Sequence, residues 1–175
     1  MALSDLANEI IELDRLNMEA HFIASGETFD SARREAGLGS EIQEGAQFLQ
    51  VRRNGELIAY LEYLPPQDGK FHIPSLQVHP TYRGTSILRP LLAQAAHRIG
   101  SWPDATLQTR VHSTNSKSIR LHSRLGFSHV ASSDGRLVFT ISVSALQAKL
   151  QTYSGLTQRS SGAHKPDDVN SNDPG

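Results

Sequence analysis

Apolar residues recur at helical spacing along the first part of the chain. They follow one another every three or four positions, at Leu6, Ile10, Leu13, Leu16 and Ala20. This spacing lines one face of a helix, and Ser4 or Asp5 is suited to cap its first turn. A second, shorter helix is predicted from Asp30 to Gly37, because glycine readily takes the left-handed conformation that ends many helices. The pattern therefore predicts two N-terminal helices within residues 4–37.

From Ala46 the apolar period changes to two, which is typical of strands. Phe48–Arg52 and Glu56–Tyr63 flank an Asn-Gly pair, the strongest short signal for a hairpin. The second of these strands is apolar on both faces except at Glu62, so we expect it to lie centrally in its sheet. Glu62 is then either a buried functional carboxylate or a solvated residue near the strand end, and we favour the solvated alternative.

A strand, a turn and a helix are predicted over residues 71–99. Pro74 interrupts the strand Phe71–Val78 and removes one ladder hydrogen bond, so local splaying is expected. The turn is Arg83–Ser86, and one apolar stripe marks the following helix, at Ile87, Leu88, Leu91, Leu92, Ala95, Ala96 and Ile99. Unpaired N–H groups at the start of this helix, with the charge of Arg83, would suit a pyrophosphate. Taken alone this signal is weak, because most such corners bind nothing.

The remaining elements complete an alternation of strands and helices. A strand is predicted over Ala105–Val111, then a helix that Asn115 caps and Gly126 ends. Two closing strands follow, Phe127–Ala131 and Arg136–Val143, and a short helix over residues 145–153. The sheet core thus spans residues 46–143. From residue 158 to residue 175 the chain is rich in Ser, Asn, Asp, Gly and Pro, which predicts a disordered tail.

The composition of the chain restricts the classes of protein to which it can belong. The 175 residues are 38% hydrophobic and 20% charged, with a formal net charge of −1. A single globular domain is expected, with no general attraction to nucleic acid or membranes. Absence of cysteine excludes a disulfide framework, thiolate zinc sites and a cysteine nucleophile. No leader pattern or membrane-length apolar stretch is evident, so a cytoplasmic protein is predicted. The eight histidines show no His-x-x-x-His pair, so no metal site is predicted.

Two segments together resemble the GNAT superfamily of acyl-CoA-dependent N-acyltransferases. Val78–Leu88 resembles the family's acyl-CoA motif, Arg/Gln-x-x-Gly-x-Gly/Ala after a strand. Asn115–Phe127 resembles the family's Asn-x-x-Ala followed by an aromatic residue and Gly-Phe. The chain departs from these motifs where Ser86 replaces a glycine, where Leu88 replaces a glycine or alanine, and where His122 replaces the usual tyrosine. The resemblance covers roughly residues 46–143.

The resemblance implies a fold, a co-substrate and a binding site. The fold class is α/β, a single GNAT-like domain over residues 1–157, with a strongly twisted, mixed, largely antiparallel sheet and helices on both faces. Acetyl-CoA would be the co-substrate, and no metal is needed. The residues expected to bind it are Leu76, Gln77, Val78, Arg83, Gly84, Thr85, Ser86, Ile87, Leu88, Asn115 and Ser118.

The implied reaction is transfer of an acetyl group from acetyl-CoA to a primary amine by direct attack. His122 would supply the proton for the leaving thiolate, although a packing role for this ring is an equal alternative. Glu62 or His72 would act as base, directly or through water. The N-terminal helices would select the acceptor. Two rivals stay open: a domain of this fold that binds CoA or a protein partner without catalysis, and a homodimeric interaction module that retains the fold alone.

Overall fold

The computed structural model describes residues 3–160. The helices are α1 (Leu3–Ala24), α2 (Ser31–Gln43), α3 (Thr85–Ile99), α4 (Ser116–Leu125) and α5 (Val143–Ser160), and the strands are β1 (Gln47–Arg53), β2 (Glu56–Tyr63), β3 (Lys70–Ile73), β4 (Ser75–Val78), β5 (Thr106–His112), β6 (Ser128–Ser133) and β7 (Arg136–Ser142). A 3₁₀ turn, Pro80–Tyr82, connects β4 to α3. None of the described helices is both long enough and apolar enough to cross a bilayer.

The strands form two sheets, in the orders β1-β2-β4 and β3-β5-β7-β6. Among the strands of residues 3–160, β3 and β5 pair in parallel and the other pairs are antiparallel. The predicted hairpin is confirmed: Asn54 (φ 52°) and Gly55 (φ 86°) both take positive φ between β1 and β2, as two-residue hairpin turns require. β2 lies between β1 and β4, so its predicted central position is also confirmed.

Pro74 divides the predicted strand 71–78 between the two sheets. Residues before it belong to β3, which stays beside β5 up to the pair Ile73 and Thr109. Residues after it belong to β4, where Ser75 pairs with Glu62 of β2. The missing proline N–H ends one ladder and lets the chain start another. The expected local splaying is therefore a complete separation of the strands.

Helices cover both faces of β2. Tyr60 packs with Ile10 of α1 and Leu38 of α2 in one apolar cluster. Its neighbour Leu61 packs with Leu91 of α3 in the larger cluster. Because successive strand residues point to opposite faces, α1 and α2 lie on one side and α3 on the other. The predicted fold class, mixed and largely antiparallel with helices on both faces, is confirmed.

Three details of the helices differ from the sequence expectations. In α1 the inward face carries Asp14 and Asn17, whereas Leu16 is 43% exposed. The second helix does not end at Gly37 but continues to Gln43, because packing of Leu38 outweighs the helix-breaking tendency of glycine. The last helix runs to Ser160, which includes the first three residues of the predicted tail. The rest of that tail, residues 161–175, lies outside the described residues.

Candidate active site

A cleft of about 1010 Å³ opens where the two sheets diverge. Its walls come from β4, β5, the first turns of α3 and α4, and the inward face of α1. We call the end near Ser75, where the strands separate, the apex, and the end near Gly84 the mouth.

β4 presents an unpartnered edge to this cleft. It pairs with β2 on one side, and no described strand pairs with its other side. The N–H of His79 donates to Ile58 O at 2.8 Å. Because hydrogen-bonded and non-bonded pairs alternate along an antiparallel ladder, the backbone groups of Leu76 and Val78 point away from β2. The backbone of Gln77 is directed at β2, and its side chain donates to Ser75 Oγ at 3.3 Å.

The N-terminus of α3 lies at the mouth. The first helical hydrogen bond joins the Leu88 N–H to Gly84 O at 3.2 Å, so the N–H groups of Thr85, Ser86 and Ile87 have no acceptor within the helix. The predicted turn over residues 83–86 is shifted, because the 3₁₀ turn precedes it and Thr85 already begins α3. The three free N–H groups at the positive end of the helix dipole can hold an anion.

Arg83 and Gly84 flank these N–H groups. The exposed Arg83 donates from Nη2 to Asn17 Oδ1 of α1. Gly84 has an extended backbone (φ 173°, ψ 171°), which any residue can adopt. A Cβ placed there would meet only Ser86 Oγ, at 3.9 Å. The turn itself therefore does not require glycine, and the absence of a side chain leaves room for a ligand to approach the backbone.

The opposite wall of the mouth is the N-terminus of α4. Asn115 caps this helix, accepting from the Ser118 N–H at 3.0 Å, and Gly126 ends it at φ 90°, as predicted. Asn115 and Ser118 line the cleft together with Gly84 and Leu88 of the other wall. The structure thus brings the two motif segments together across one cleft.

His122 also borders the cleft, but its contacts are those of a packed ring. It is 9% exposed and lies 5.0 Å from the Phe127 ring and 5.5 Å from the Phe139 ring, between centroids. Its Nδ1 is 2.8 Å from Ser118 O, so Nδ1 carries a proton that it donates to this carbonyl. Burial lowers the pKa of His122, against a smaller opposing effect of that hydrogen bond. The lowered pKa means that the ring is neutral near pH 7. The contacts favour a packing role for His122, and its role as an acid stays a prediction.

Neither predicted base lines the cleft. The expectation that Glu62 is solvated is wrong: it is 0% exposed and paired with Arg34. Glu62 sits mid-sheet, beside Ser75, and its side chain points under α1 and α2. His72 lies on β3, which pairs with β5 and not with the hairpin. Glu62 and His72 therefore belong to different sheets, because the chain passes from one sheet to the other at Pro74.

A charged cluster lies at the apex, on the α1 side. Its centre is Arg34, whose guanidinium binds three carboxylates: Asp14 at 2.6 Å, Glu41 at 2.6 Å and Glu62 at 2.9 Å. Asp14 also accepts from Tyr60 Oη, which lies 2.8 Å from Ser75 Oγ. We call these four charged residues the Arg34 cluster. Asp14, Arg34 and Glu41 line the cleft, whereas Glu62 lies behind them.

The carboxyl groups of the Arg34 cluster have perturbed acidities. Burial raises the pKa of Asp14, and the charge of Arg34 opposes this only in part. Burial, with a hydrogen bond shared with Glu41, raises the pKa of Glu62 to about 8. One cation against three carboxylates leaves an excess of negative charge, so at least one proton is held within the cluster at neutral pH.

A second polar group joins α1 to the end of β5. His112 Nδ1 is 2.9 Å from Thr114 Oγ1, which is 3.4 Å from His21 Nδ1. Burial lowers the pKa of His21, and the nearby His112, Arg83 and Lys117 lower it further. Within the described residues, no group of three His, Asp or Glu side chains could hold a metal ion.

The sequence led us to expect a contribution from the N-terminal helices, but it did not identify which of their residues line the cleft. Asp14, Asn17 and His21 line the cleft at spacings of three and four, so they share one helix face. Polar residues on the inward face of an otherwise amphipathic helix were the available signal. This signal was missed because Leu16 and Ala20 were assigned to the inward face of the predicted helix.

Comparison with known proteins agrees with this geometry. The model of the acetyltransferase (GNAT) family matches residues 10–127. The PaiA N-acetyltransferase of Thermoplasma acidophilum, solved with coenzyme A, is 17% identical, with a TM-score of 0.64 over 81% of this chain and 95% of that chain. The ribosomal-protein-S18-alanine N-acetyltransferase of Escherichia coli is 19% identical, with a TM-score of 0.60 over 82% and 91%.

A third solved structure, the putative acetyltransferase YncA of Salmonella typhimurium with acetyl-CoA, is 22% identical, with a TM-score of 0.57 over 81% of this chain and 91% of that chain. At these identities the structural matches show a shared fold. No curated protein matches the sequence. The family match covers well over half of the chain and includes both motif segments. The chain therefore belongs to the acetyltransferase (GNAT) family.

Proposed function

We propose that this protein binds acetyl-CoA in the cleft between β4 and β5 and transfers the acetyl group directly to a primary amine. The observation that carries the proposal is the open edge of β4, which leads from the apex to the N-terminus of α3. A strand edge can hydrogen-bond an extended amide-containing arm. A helix N-terminus can bind a pyrophosphate.

The two ends of the cleft suit the two ends of acetyl-CoA, which is a substrate of this reaction. At the mouth, the N–H groups of Thr85, Ser86 and Ile87 and the guanidinium of Arg83 would hold the phosphates. The backbone groups of Leu76 and Val78 would hold the pantetheine arm. Asn115 and Ser118 would contact the arm from the other wall. The acetyl group would then lie towards the apex.

The chemistry requires an unprotonated amine and a stabilised oxyanion. The amine nitrogen attacks the thioester carbonyl, the C–N bond forms, and the C–S bond breaks. A backbone N–H of the open edge, at Leu76 or Val78, is suited to donate to the oxyanion. The base is proposed among the apex carboxylates, and Glu62 would act only through them because it lies behind the cleft wall. His72 lies outside the lining and is less suited.

A second candidate function is binding of acetyl-CoA without catalysis. Leu88 lines the cleft beside the phosphate site, where the family motif has glycine or alanine, and His122 is packed where the family has tyrosine. Both features favour a site whose chemistry has been lost.

Two measurements distinguish these functions. Calorimetric titration with acetyl-CoA tests binding, and a thiol-release assay with a panel of primary amines tests transfer. The proposed function predicts saturable binding and amine-dependent release of CoA. Binding without release by any amine would support the second candidate. Absence of binding would overturn both and leave a domain that retains the fold alone.

A further inference from the structure

Two arginines of the second sheet line the cleft without an anionic partner: Arg110 of β5, which is exposed, and Arg136 of β7, which is half-buried. In the part of the chain that the structure describes, neither guanidinium forms an ion pair or donates a hydrogen bond. Arg136 instead lies over the ring of Phe22 in α1, with 5.9 Å between Cζ and the ring centre. Two positive charges thus lie in the cleft with no carboxylate bound to them.

The register of β5 and β7 brings these two arginines close together. Arg110 pairs with Val138, and Arg136 pairs with His112, so the arginines are diagonal neighbours on one face of the sheet. Residues in this relation lie roughly 7–8 Å apart, which is within reach of long side chains. Unpaired like charges at this separation repel, and an anion bound between the two guanidinium groups would relieve the repulsion.

Both arginines face α1. His112 contacts Phe22 of α1, with 5.6 Å between ring centres, and Arg110 lies two residues earlier on the same strand, so it shares that face. Val111 points the other way, into the apolar cluster that contains Leu91 of α3 and residues of α4. The arginines are therefore on the opposite face of the sheet from the two helices whose N-termini are proposed to bind the phosphates of CoA.

Arg110 lies at the apex of the cleft. The last pair between β3 and β5 is Ile73 with Thr109, so Arg110 is the first residue of β5 beyond the point where the sheets separate. The acetyl group of acetyl-CoA is proposed to lie towards this point. A molecule bound by Arg110 on the α1 side would therefore reach the thioester through the gap between the sheets.

The carboxylates of the cleft are already bound by another arginine. The acids among its described lining residues are Asp14 and Glu41, and Arg34 binds each of them at 2.6 Å. An anion that balances Arg110 and Arg136 therefore has to come from outside the protein. Because the two arginines lie on the side from which the acceptor reaches the thioester, the acceptor itself is suited to supply it.

We propose that Arg110 and Arg136 bind an oxyanion of the acceptor, which is thus a primary amine that also carries a carboxylate or phosphate group. This proposal rests on the proposed function and specifies its substrate class. A planar guanidinium can donate two parallel N–H bonds to such an oxyanion. Stacking on Phe22 restricts the Arg136 side chain before the ligand binds, which lowers the entropic cost of binding. Phe22 and Phe29, 5.9 Å apart, also line the cleft and offer an apolar wall to the carbon chain of the acceptor.

The oxyanion holds the acceptor while its unprotonated amine reacts. The nitrogen forms the C–N bond with the acetyl carbon, and the C–S bond breaks. The proton that the nitrogen loses is taken up by the CoA thiolate. The products are the N-acetylated acid and CoA thiol, and the oxyanion is unchanged.

The test compares acceptors that differ only in their terminal group, at saturating acetyl-CoA. One set has three carbons between the amine and that group: 4-aminobutanoate, 3-aminopropylphosphonate and the neutral 4-aminobutanamide. The other set has one carbon: glycine, aminomethylphosphonate and glycinamide. We expect kcat/KM, expressed per unprotonated amine, to be at least about tenfold higher for an anion than for the carboxamide in at least one set. The better anion distinguishes a carboxylate acceptor from a phosphate-bearing one, and a carboxamide that equals or exceeds both anions in both sets would overturn the proposal.

Variants of Arg110 tie this preference to the site. Arg110→Gln removes one of the two charges at an exposed position, and a thermal melt checks that the variant is folded. We expect kcat/KM for the preferred anion to fall about tenfold, mainly through KM, with kcat/KM for the carboxamide and the KM for acetyl-CoA unchanged. Arg110→Lys keeps the charge but loses the paired N–H geometry, so it should restore part of the preference. Arg33→Gln removes an exposed charge of α2 outside the cleft, and should have no effect.

The outcomes separate this proposal from the proposed function. If amines are acetylated but Arg110→Gln and Arg33→Gln keep the same preference for the anion, the arginines do not bind the acceptor, although the protein is still an acetyltransferase. If the wild type binds acetyl-CoA but acetylates none of the six acceptors or any other amine, the proposed function itself fails. If Arg110→Gln does not fold, the preference of the wild-type protein and its change in Arg110→Lys give the deciding result.

Discussion

At the scale of single residues, Arg83 is the charge that the proposed function links most directly to CoA binding. It lies beside the N–H groups at the start of α3 and donates to Asn17 Oδ1. We expect Arg83→Ala to weaken acetyl-CoA binding by about 1.5–3 kcal/mol, the range for a charge-assisted hydrogen bond. Calorimetry measures this change. Arg33→Ala, which removes an exposed charge of α2 outside the cleft, is the matched control, and an equal effect in both variants would contradict the assignment.

A substitution at Gly84 should change ligand binding without changing the stability of the fold. Its backbone is extended, and an added Cβ meets only Ser86 Oγ at 3.9 Å, so Gly84→Val should leave the melting temperature nearly unchanged. The valine side chain would obstruct the approach of the phosphates to the backbone, so affinity for acetyl-CoA should fall more than in Arg83→Ala. A variant that binds acetyl-CoA as tightly as the wild type would show that the phosphates bind elsewhere.

The sequence left two roles open for His122: packing in the core, and donation of a proton to the leaving thiolate. Its pKa is lowered by burial, and its Nδ1 proton is donated to Ser118 O, so we expect packing to dominate. His122→Phe should then bind acetyl-CoA normally and keep turnover within a few-fold of wild type. His122→Tyr should behave similarly. A general acid is typically worth about 10²–10⁴-fold in rate, so a loss of that size in a folded His122→Phe would establish the acid role instead.

At the scale of elements, local signals were predictable and long-range assemblies were not. The Asn54-Gly55 hairpin and the Asn115 cap followed from the sequence because each depends on a few adjacent residues. The division of strand 71–78 was only partly predictable: Pro74 indicates a broken ladder, but not which sheet receives each half. The Arg34 cluster joins residues of α1, α2 and β2, and no local pattern encodes that contact.

The Arg34 cluster should make the stability of its three elements depend on pH. The pKa of Glu62 rises to about 8 in the folded protein, against about 4.3 for an ordinary glutamate. The folded state therefore binds more protons between these values, and stability falls as pH rises through this window. Glu62→Gln cannot lose this proton, so its unfolding free energy relative to wild type should increase from pH 5 to pH 8.

The pKa difference of Glu62 between the folded and unfolded states sets an upper limit on this change in unfolding free energy. At about 1.4 kcal/mol per pKa unit, the limit is about 5 kcal/mol. Urea unfolding of the wild type and of Glu62→Gln at several pH values measures this change. Subtracting one unfolding free energy from the other cancels the contributions of the other titrating groups. Glu35→Gln is the control, because it makes the same substitution at an exposed carboxyl group. A difference between Glu62→Gln and wild type that stays constant from pH 5 to pH 8 would show that Glu62 is already ionised.

At the scale of the whole molecule, helices on the two faces of β2 contribute different parts of the cleft. The N-termini of α3 and α4 form the two opposite walls of the mouth, whereas α1 and α2 supply three of the four residues of the Arg34 cluster. The cleft at the divergence of the two sheets is where these contributions meet. The net charge of −1 is small, so we expect the long-range electrostatic attraction of CoA or of an acceptor to the protein to be weak.

A labelling experiment tests whether the acetyl group passes directly from acetyl-CoA to the amine in this cleft. The protein is incubated with acetyl-CoA labelled in the acetyl group, first alone and then with the most active amine of the panel, and the label is followed in protein, amine and CoA by mass spectrometry. We expect no label on the protein at either stage, and we expect labelled N-acetyl product with an equal amount of free CoA after the amine is added. Label covalently attached to the protein before the amine is added, or no labelled amide afterwards, would contradict it.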